Sequence, residues 1–164
     1  MCGSQMPANH QEIERKFIVR HLPAGCSACP SVEMRQGYVV IDDARALSVR
    51  IRQEDSAYRL TIKQGRGRIR TEVETPIQEG QFQVLWPLTG ACNLEKTRFY
   101  VEEKGKRLEV DVYGGLLSPL KMLEVEFDSI EEASEFMPPE WASEEVTEDP
   151  RFLNQNLARY GIPD

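Results

Sequence analysis

Residues 46–64 read ALSVRIRQEDSAYRLTIKQ, and the parity of this stretch decides how the chain folds. Side chains alternate between the two faces of a β-strand with a period of two. Over 46–53 this places Leu47, Val49 and Ile51 on one face and Arg50 and Arg52 on the other. Over 57–64 it places Tyr58, Leu60 and Ile62 against Arg59, Thr61 and Lys63. Glu54, Asp55 and Ser56 between the two runs supply turn chemistry. The stretch therefore predicts a hairpin with one apolar and one cationic face, and the fold depends on which face looks inward.

The same alternation recurs at 12–19, 33–41, 68–75, 94–102, 106–113 and 120–128, giving eight predicted strands. Glu12, Glu14 and Lys16 oppose Ile13, Phe17 and Val19. Arg68, Arg70, Glu72 and Glu74 oppose Ile69 and Val73, and Lys96, Arg98, Tyr100 and Glu102 oppose Phe99 and Val101. Arg107, Glu109 and Asp111 oppose Leu108, Val110 and Val112, and Glu124 and Glu126 oppose Leu123, Val125 and Phe127. Three stretches read as helices. The first is 77–86, between Pro76 and Pro87. The second is 129–137, opened by a Ser-x-x-Glu capping box and stopped by Pro138. The third is 150–160, with Pro150 at its start and Gly161 at its end.

A sandwich with a dry core and solvated outer charges fits any one of these strands. Across the set, the charged faces are built from Arg and Glu with little Ser, Thr, Asn or Gln, and the signs are segregated. Arg50 with Arg52 and Lys96 with Arg98 are basic runs, while Glu12 with Glu14 and Glu124 with Glu126 are acidic pairs. Like charges so close repel, a needless penalty on a surface but a useful arrangement around a charged ligand. The expected fold is therefore α+β, mainly β: an eight-stranded antiparallel closed β-barrel, a size able to enclose one small ligand. Its ionised side chains face a tunnel and its helices cover the outside.

The chain has 164 residues, 40% hydrophobic and 29% charged, as expected of a soluble globular protein with a sizeable core. Residues 1–11 read as a tail and 12–164 as a single domain. No apolar run reaches membrane-spanning length, and the first residues lack a secretory pattern, so the expected location is cytoplasmic. A net charge of −7 argues against nucleic acid and anionic membranes as partners. The four cysteines include a lone Cys26-Ser-Ala-Cys29 with no second ligand pair, and only two histidines are present. Structural zinc and histidine chemistry are therefore not expected.

Carboxylates two apart on a strand converge on a hard divalent cation such as Mg²⁺ or Mn²⁺, which prefers oxygen ligands. Rows of Arg and Lys opposite them complement a multiply charged phosphate chain, such as a polyphosphate or a nucleoside triphosphate. Gly65-Arg-Gly-Arg68 lacks a phosphate-loop pattern and reads as a hairpin turn.

EIERKFIV at 12–19 resembles the Glu-x-Glu-x-Lys signature of the CYTH domain, the triphosphate tunnel metalloenzymes. The similarity continues through SVRIRQ, YRLTIKQ, RIRTEVE, EKTRFYV, LEVDVYGG, LEVEF and EVTEDPRFLNQNLA, spanning roughly 12–160. The resemblance implies metal-binding roles for Glu12, Glu14, Asp111, Glu124 and Glu126. It implies phosphate-binding roles for Lys16, Arg50, Arg52, Lys63, Arg70, Lys96 and Arg98, with Glu72 and Glu74 in support. It further implies a C-terminal plug helix, with Arg151 touching the phosphate near the cleavage point. The expected catalytic set is Glu14, Lys16 and Arg151. The leading expectation is metal-dependent hydrolysis of inorganic tripolyphosphate to pyrophosphate and phosphate, because no aromatic or amide cluster stands out to hold a base or a thiazolium ring. A class IV-type adenylate cyclase or a thiamine triphosphatase is the alternative, and a non-catalytic polyphosphate- or nucleotide-binding module is the second. Oligomeric state is left open.

Overall fold

The computed structural model describes residues 13–65 and 71–164. Of the sequence-predicted site residues, Glu12 and Arg70 lie outside the described residues, as does most of the Gly65–Arg68 turn.

Among the described residues, nine strands form one antiparallel sheet: β1 Ile13–Val19, β2 Ser31–Asp42, β3 Leu47–Glu54, β4 Ala57–Gln64, β5 Thr71–Pro76, β6 Asn93–Glu103, β7 Lys106–Tyr113, β8 Lys121–Phe127 and β9 Ala142–Glu145. Their order is β5-β4-β3-β2-β6-β7-β8-β1-β9. The expected strands are present, but the expected closure and strand count are not. β9, ASEE, carries no alternation that sequence could reveal. It pairs with β1 through Phe17 opposite Glu145 and Val19 opposite Ala142. Lys16 extends the contact, its N–H donating to Thr147 Oγ1 at 3.0 Å and its carbonyl accepting from Val146 N at 2.9 Å. β9 thus occupies the edge of β1 that closure against β5 would use, and among the described residues the sheet stays open there. It still curls strongly, because Glu14 of β1 and Glu72 and Glu74 of β5 line one cavity despite lying at opposite ends of the strand order.

The outward apolar faces are covered in patches. Phe17, Val101, Leu108, Val110, Leu123 and Val125 pack beneath helix α2, Ile130–Glu135, and the turn at Cys26–Cys29. Leu123→Ala in this fully buried setting would cost about 2–5 kcal/mol. The expected α2 cap is present: Ser129 Oγ accepts from Glu132 N at 3.1 Å. Helix α1, Glu79–Leu85, buries Phe82 against Tyr58 and Trp86. The 3₁₀ turn that continues α1, Trp86–Thr89, crosses β2 at Gly37, where a Cβ would stand 2.5 Å from Thr89 Cγ2. Glycine is required there by close approach, not by dihedral freedom. Toward β5 the cover runs out, leaving Val40, Ile62 and Val73 partly exposed.

The expected helix 150–160 is broken. Pro150–Phe152 is a 3₁₀ turn capped by Asp149, Leu153 is extended, and α3 runs Asn154–Tyr160. Leu157 of α3 packs on Leu94, Tyr113 and Met122, with Ile18 beside them. These strand residues share parity with the inward charges, so the inner face changes from ionic to apolar at one end and α3 seats on that apolar layer.

Candidate active site

The inward face encloses a cavity of about 320 Å³, at the small end of the range for ligand sites. It is lined by Glu14 and Lys16 of β1, Tyr38 of β2, Ser48, Arg50 and Arg52 of β3, and Lys63 of β4. Glu72 and Glu74 of β5, Arg98 of β6, and Glu124 and Glu126 of β8 complete the strand contribution, with Leu153, Asn154 and Gln155 at the start of α3. Most of the residues singled out from the sequence therefore meet in one hollow.

On the β1–β8–β7–β6 side most of the charges are already paired. Glu14 faces Glu126 and Lys16 faces Glu124 across the β1–β8 ladder. Lys16 Nζ lies 3.1 Å from Glu14 and 3.5 Å from Glu124. Burial pulls the Lys16 ammonium down, but Glu124 and Glu14 outweigh it and hold its pKa above the ordinary lysine value. Arg98 donates to Asp111 through Nε at 2.7 Å and Nη2 at 2.8 Å, to Glu124 at 2.6 Å, and to Glu109. Burial alone would raise the Glu124 carboxyl, yet Lys16, Lys96 and Arg98 drive it well below the usual carboxylate range. Burial and the neighbouring Glu126 and Glu124 push Glu109 the other way, upward, against Arg98.

Asp111 and Lys96 are fully enclosed behind this layer, bonded to each other and absent from the cavity lining. The carboxylate expected on the metal side is thus engaged with Lys96 and Arg98, and the ammonium expected on phosphate is engaged with Asp111. Arg151 also lies off the cavity: its guanidinium is clamped on Asp149, 2.7 Å away, and is mostly exposed. The break at Leu153 explains this displacement, since it brings Asn154 and Gln155 to the cavity in place of Arg151. These two amides were missed because the sequence predicts one continuous helix. Tyr38 was missed because Gly37 and a register irregularity between Tyr38 and Val40 obscure the parity of β2.

The β3–β4 side is different. Arg52 Nη1 pairs with Glu54 at 3.0 Å, and Lys63 pairs with Glu72 at 2.8 Å. Glu74 is taken by Arg59 at 2.9 Å and by the Thr61 hydroxyl at 3.0 Å. Arg50 has no carboxylate at ion-pair distance among the described residues. It reaches Thr61 Oγ1 at 3.5 Å, and its Nε is buried without a partner. Burial, with Arg52 beside it, pushes the Arg50 guanidinium down.

Among the described residues, no three carboxylate, histidine or cysteine side chains converge closely enough to hold a metal ion alone. The donor chemistry nevertheless suits a hard divalent cation: Glu14 and Glu126 face each other with Glu124 adjacent, all oxygen ligands.

A curled, incompletely closed antiparallel sheet with its ionised side chains turned inward, stopped at one end by a short helix, defines a tunnel-type β protein built for a small polyanion. The CYTH domain model matches residues 10–155. The chain belongs to the CYTH domain family. It is 43% identical over 148 residues to an inorganic triphosphatase of Nitrosomonas europaea, covering 90% of this chain and 96% of that protein. It is 36% identical over 152 residues to an inorganic triphosphatase of Acetivibrio thermocellus, covering 91% and 94%. A crystal structure of an inorganic triphosphatase superposes with a TM-score of 0.74 at 42% identity, covering 93% of this chain and 97% of that one.

Proposed function

We propose that this chain is a metal-dependent inorganic triphosphatase, hydrolysing tripolyphosphate to pyrophosphate and phosphate in the β-lined hollow. The observation that carries the reading is Arg50, a largely buried guanidinium aimed into the cavity with no carboxylate partner among the described residues. Holding such a charge out of water is unfavourable until an anion meets it. Arg52 and Lys63 flank it, and Lys16 and Arg98 stand across the hollow. Five cations around so small a volume match a linear triphosphate, whose charge lies along its whole length.

Mg²⁺ or Mn²⁺ would be held by Glu14 and Glu126, with Glu124 and Glu12 completing the donor set. When bound, the ion supplies Lewis-acid polarisation of phosphate oxygens and acidifies water. The chain's own residues do the rest. Arg50, Arg52 and Lys63 orient the phosphate chain, and Lys16 and Arg98 take up charge as the bond breaks. A water oxygen attacks a terminal phosphorus, the anhydride P–O bond breaks with pyrophosphate leaving, and the water's proton passes to a carboxylate, Glu14 in this reading. Residues 12–164 would act as one domain, in the cytoplasm. No helix among the described residues is long and apolar enough to cross a membrane.

Phosphate release from tripolyphosphate, ATP and thiamine triphosphate with Mg²⁺ or Mn²⁺ is the test. Preferred turnover of tripolyphosphate is expected. Preferred turnover of either organic substrate, cyclic AMP formation from ATP, or binding without turnover would each replace this reading.

A further inference from the structure

Gln36 sits on β2 with no exposed surface, behind the cavity wall, in a place where a simple apolar residue would pack. Its amide bridges two cavity residues. Its Oε1 accepts from Arg52 Nε at 3.2 Å, and its Nε2 donates to the Tyr38 hydroxyl oxygen at 3.0 Å. The bridge has only one possible polarity. Arginine donates and never accepts, so the amide oxygen must face Arg52 and the amide NH₂ must face Tyr38. The Tyr38 oxygen therefore accepts from Gln36. With its oxygen engaged by the Gln36 amide, the hydroxyl still has its own hydrogen uncommitted. None of the described residues accepts that hydrogen, and Tyr38 lines the cavity.

We infer that Gln36 is a positioning residue that fixes the Tyr38 hydroxyl as a hydrogen-bond donor toward an oxyanion in the cavity, while orienting Arg52 toward the same ligand. This rests on the triphosphate reading above and adds to it a neutral donor that no pattern of charges reveals. Burial also raises the Tyr38 pKa, so the phenol keeps the proton it has to offer. An exposed Gln bridging the same groups would lose much of this control to water; a fully buried one does not.

The test is a double-mutant cycle. Gln36→Glu preserves shape but replaces the amide donor with an acceptor, so the Tyr38 hydrogen turns back to residue 36 and away from the cavity. Calorimetric binding of inorganic tripolyphosphate without metal, and phosphate release with Mg²⁺, are both measured. A hydrogen bond to a charged oxygen supports a loss of about tenfold to a hundredfold for Tyr38→Phe. Gln36→Glu should weaken binding further than its added charge requires. Tyr38→Phe placed on Gln36→Glu should then cost less than about twofold more, because the donor is already lost. Gln36→Met, with melting curves for every variant, repeats the cycle without a new charge and covers the case in which the carboxylate variant does not fold. A full, additive Tyr38→Phe loss in both backgrounds overturns the inference. Wild-type protein that binds tripolyphosphate without cleaving it overturns the hydrolase reading alone, and wild-type protein that binds none overturns both.

Discussion

The two sides of the cavity carry similar charges and differ in how one arginine on each is committed. On the β1–β8–β7–β6 side, Arg98 is held by Asp111, Glu109 and Glu124, and Lys16 by Glu14 and Glu124. On the β3–β4 side, Arg50 has only a long contact with a threonine among the described residues, and an orphaned Nε. One side engages Arg98 with carboxylates and so defines a wall; the other leaves Arg50 without a carboxylate at ion-pair distance among the described residues, and so marks where an anion would go. Counting basic residues would miss this, because Arg50 and Arg98 count alike.

The contrast is broken most severely by exchanging the roles of those two arginines. Arg50→Met should weaken tripolyphosphate binding on the order of a hundredfold while leaving the melting temperature equal or higher, since a largely buried charge with no carboxylate at ion-pair distance among the described residues is removed. Arg98→Met should do the reverse to stability, costing about 3–5 kcal/mol in chemical denaturation by removing the guanidinium that Asp111, Glu109 and Glu124 share and leaving three carboxylates to the remaining lysines. Equal stability effects at the two sites would remove the distinction.

Next in size, Gly37→Ala should cost about 1–3 kcal/mol by driving a methyl against Thr89. Tripolyphosphate affinity of the folded fraction should be unchanged, because this contact lies on the outer face. A matching loss of affinity would show that the outer packing sets the inner geometry.

Acid sharpens the comparison further. Glu124 titrates well below the ordinary glutamate value of 4.5 in the folded, metal-free protein. Its stabilisation is therefore complete above the unfolded value and is lost as pH falls below about 4.5 and on through the depressed folded value. Glu124→Gln should flatten that acid limb in urea-unfolding free energies measured against pH; an unchanged limb would assign it to other carboxylates. Least of all, Arg151→Ala should alter stability by less than about 0.5 kcal/mol and tripolyphosphate turnover by less than about twofold, since an exposed pair with Asp149 contributes little. A large fall in kcat would return Arg151 to the cavity.

Much of this was legible in the chain because strand parity is a strict code. The alternation in β1, β3, β4, β6, β7 and β8 fixes which residues look inward, and their sign segregation excludes bulk water as the simplest neighbour. Parity cannot report depth along a strand. Lys96 and Arg98 share a face, yet two residues of separation put one behind the wall and the other on it. Nor does it report closure, which here turns on a four-residue strand, ASEE, whose pairing comes from β1 and not from its own pattern. The end of the hollow was hidden for a third reason: Pro150 and Gly161 frame a helix well but say nothing of the extended Leu153 between them.

That stopped end has a kinetic corollary. With Leu157 bedded on Leu94, Tyr113 and Met122, α3 stands across one end of the hollow, and a cleaved fragment lodged against it would be expected to leave after its companion. The order in which orthophosphate and pyrophosphate slow turnover would then reveal which way round the guest had been seated.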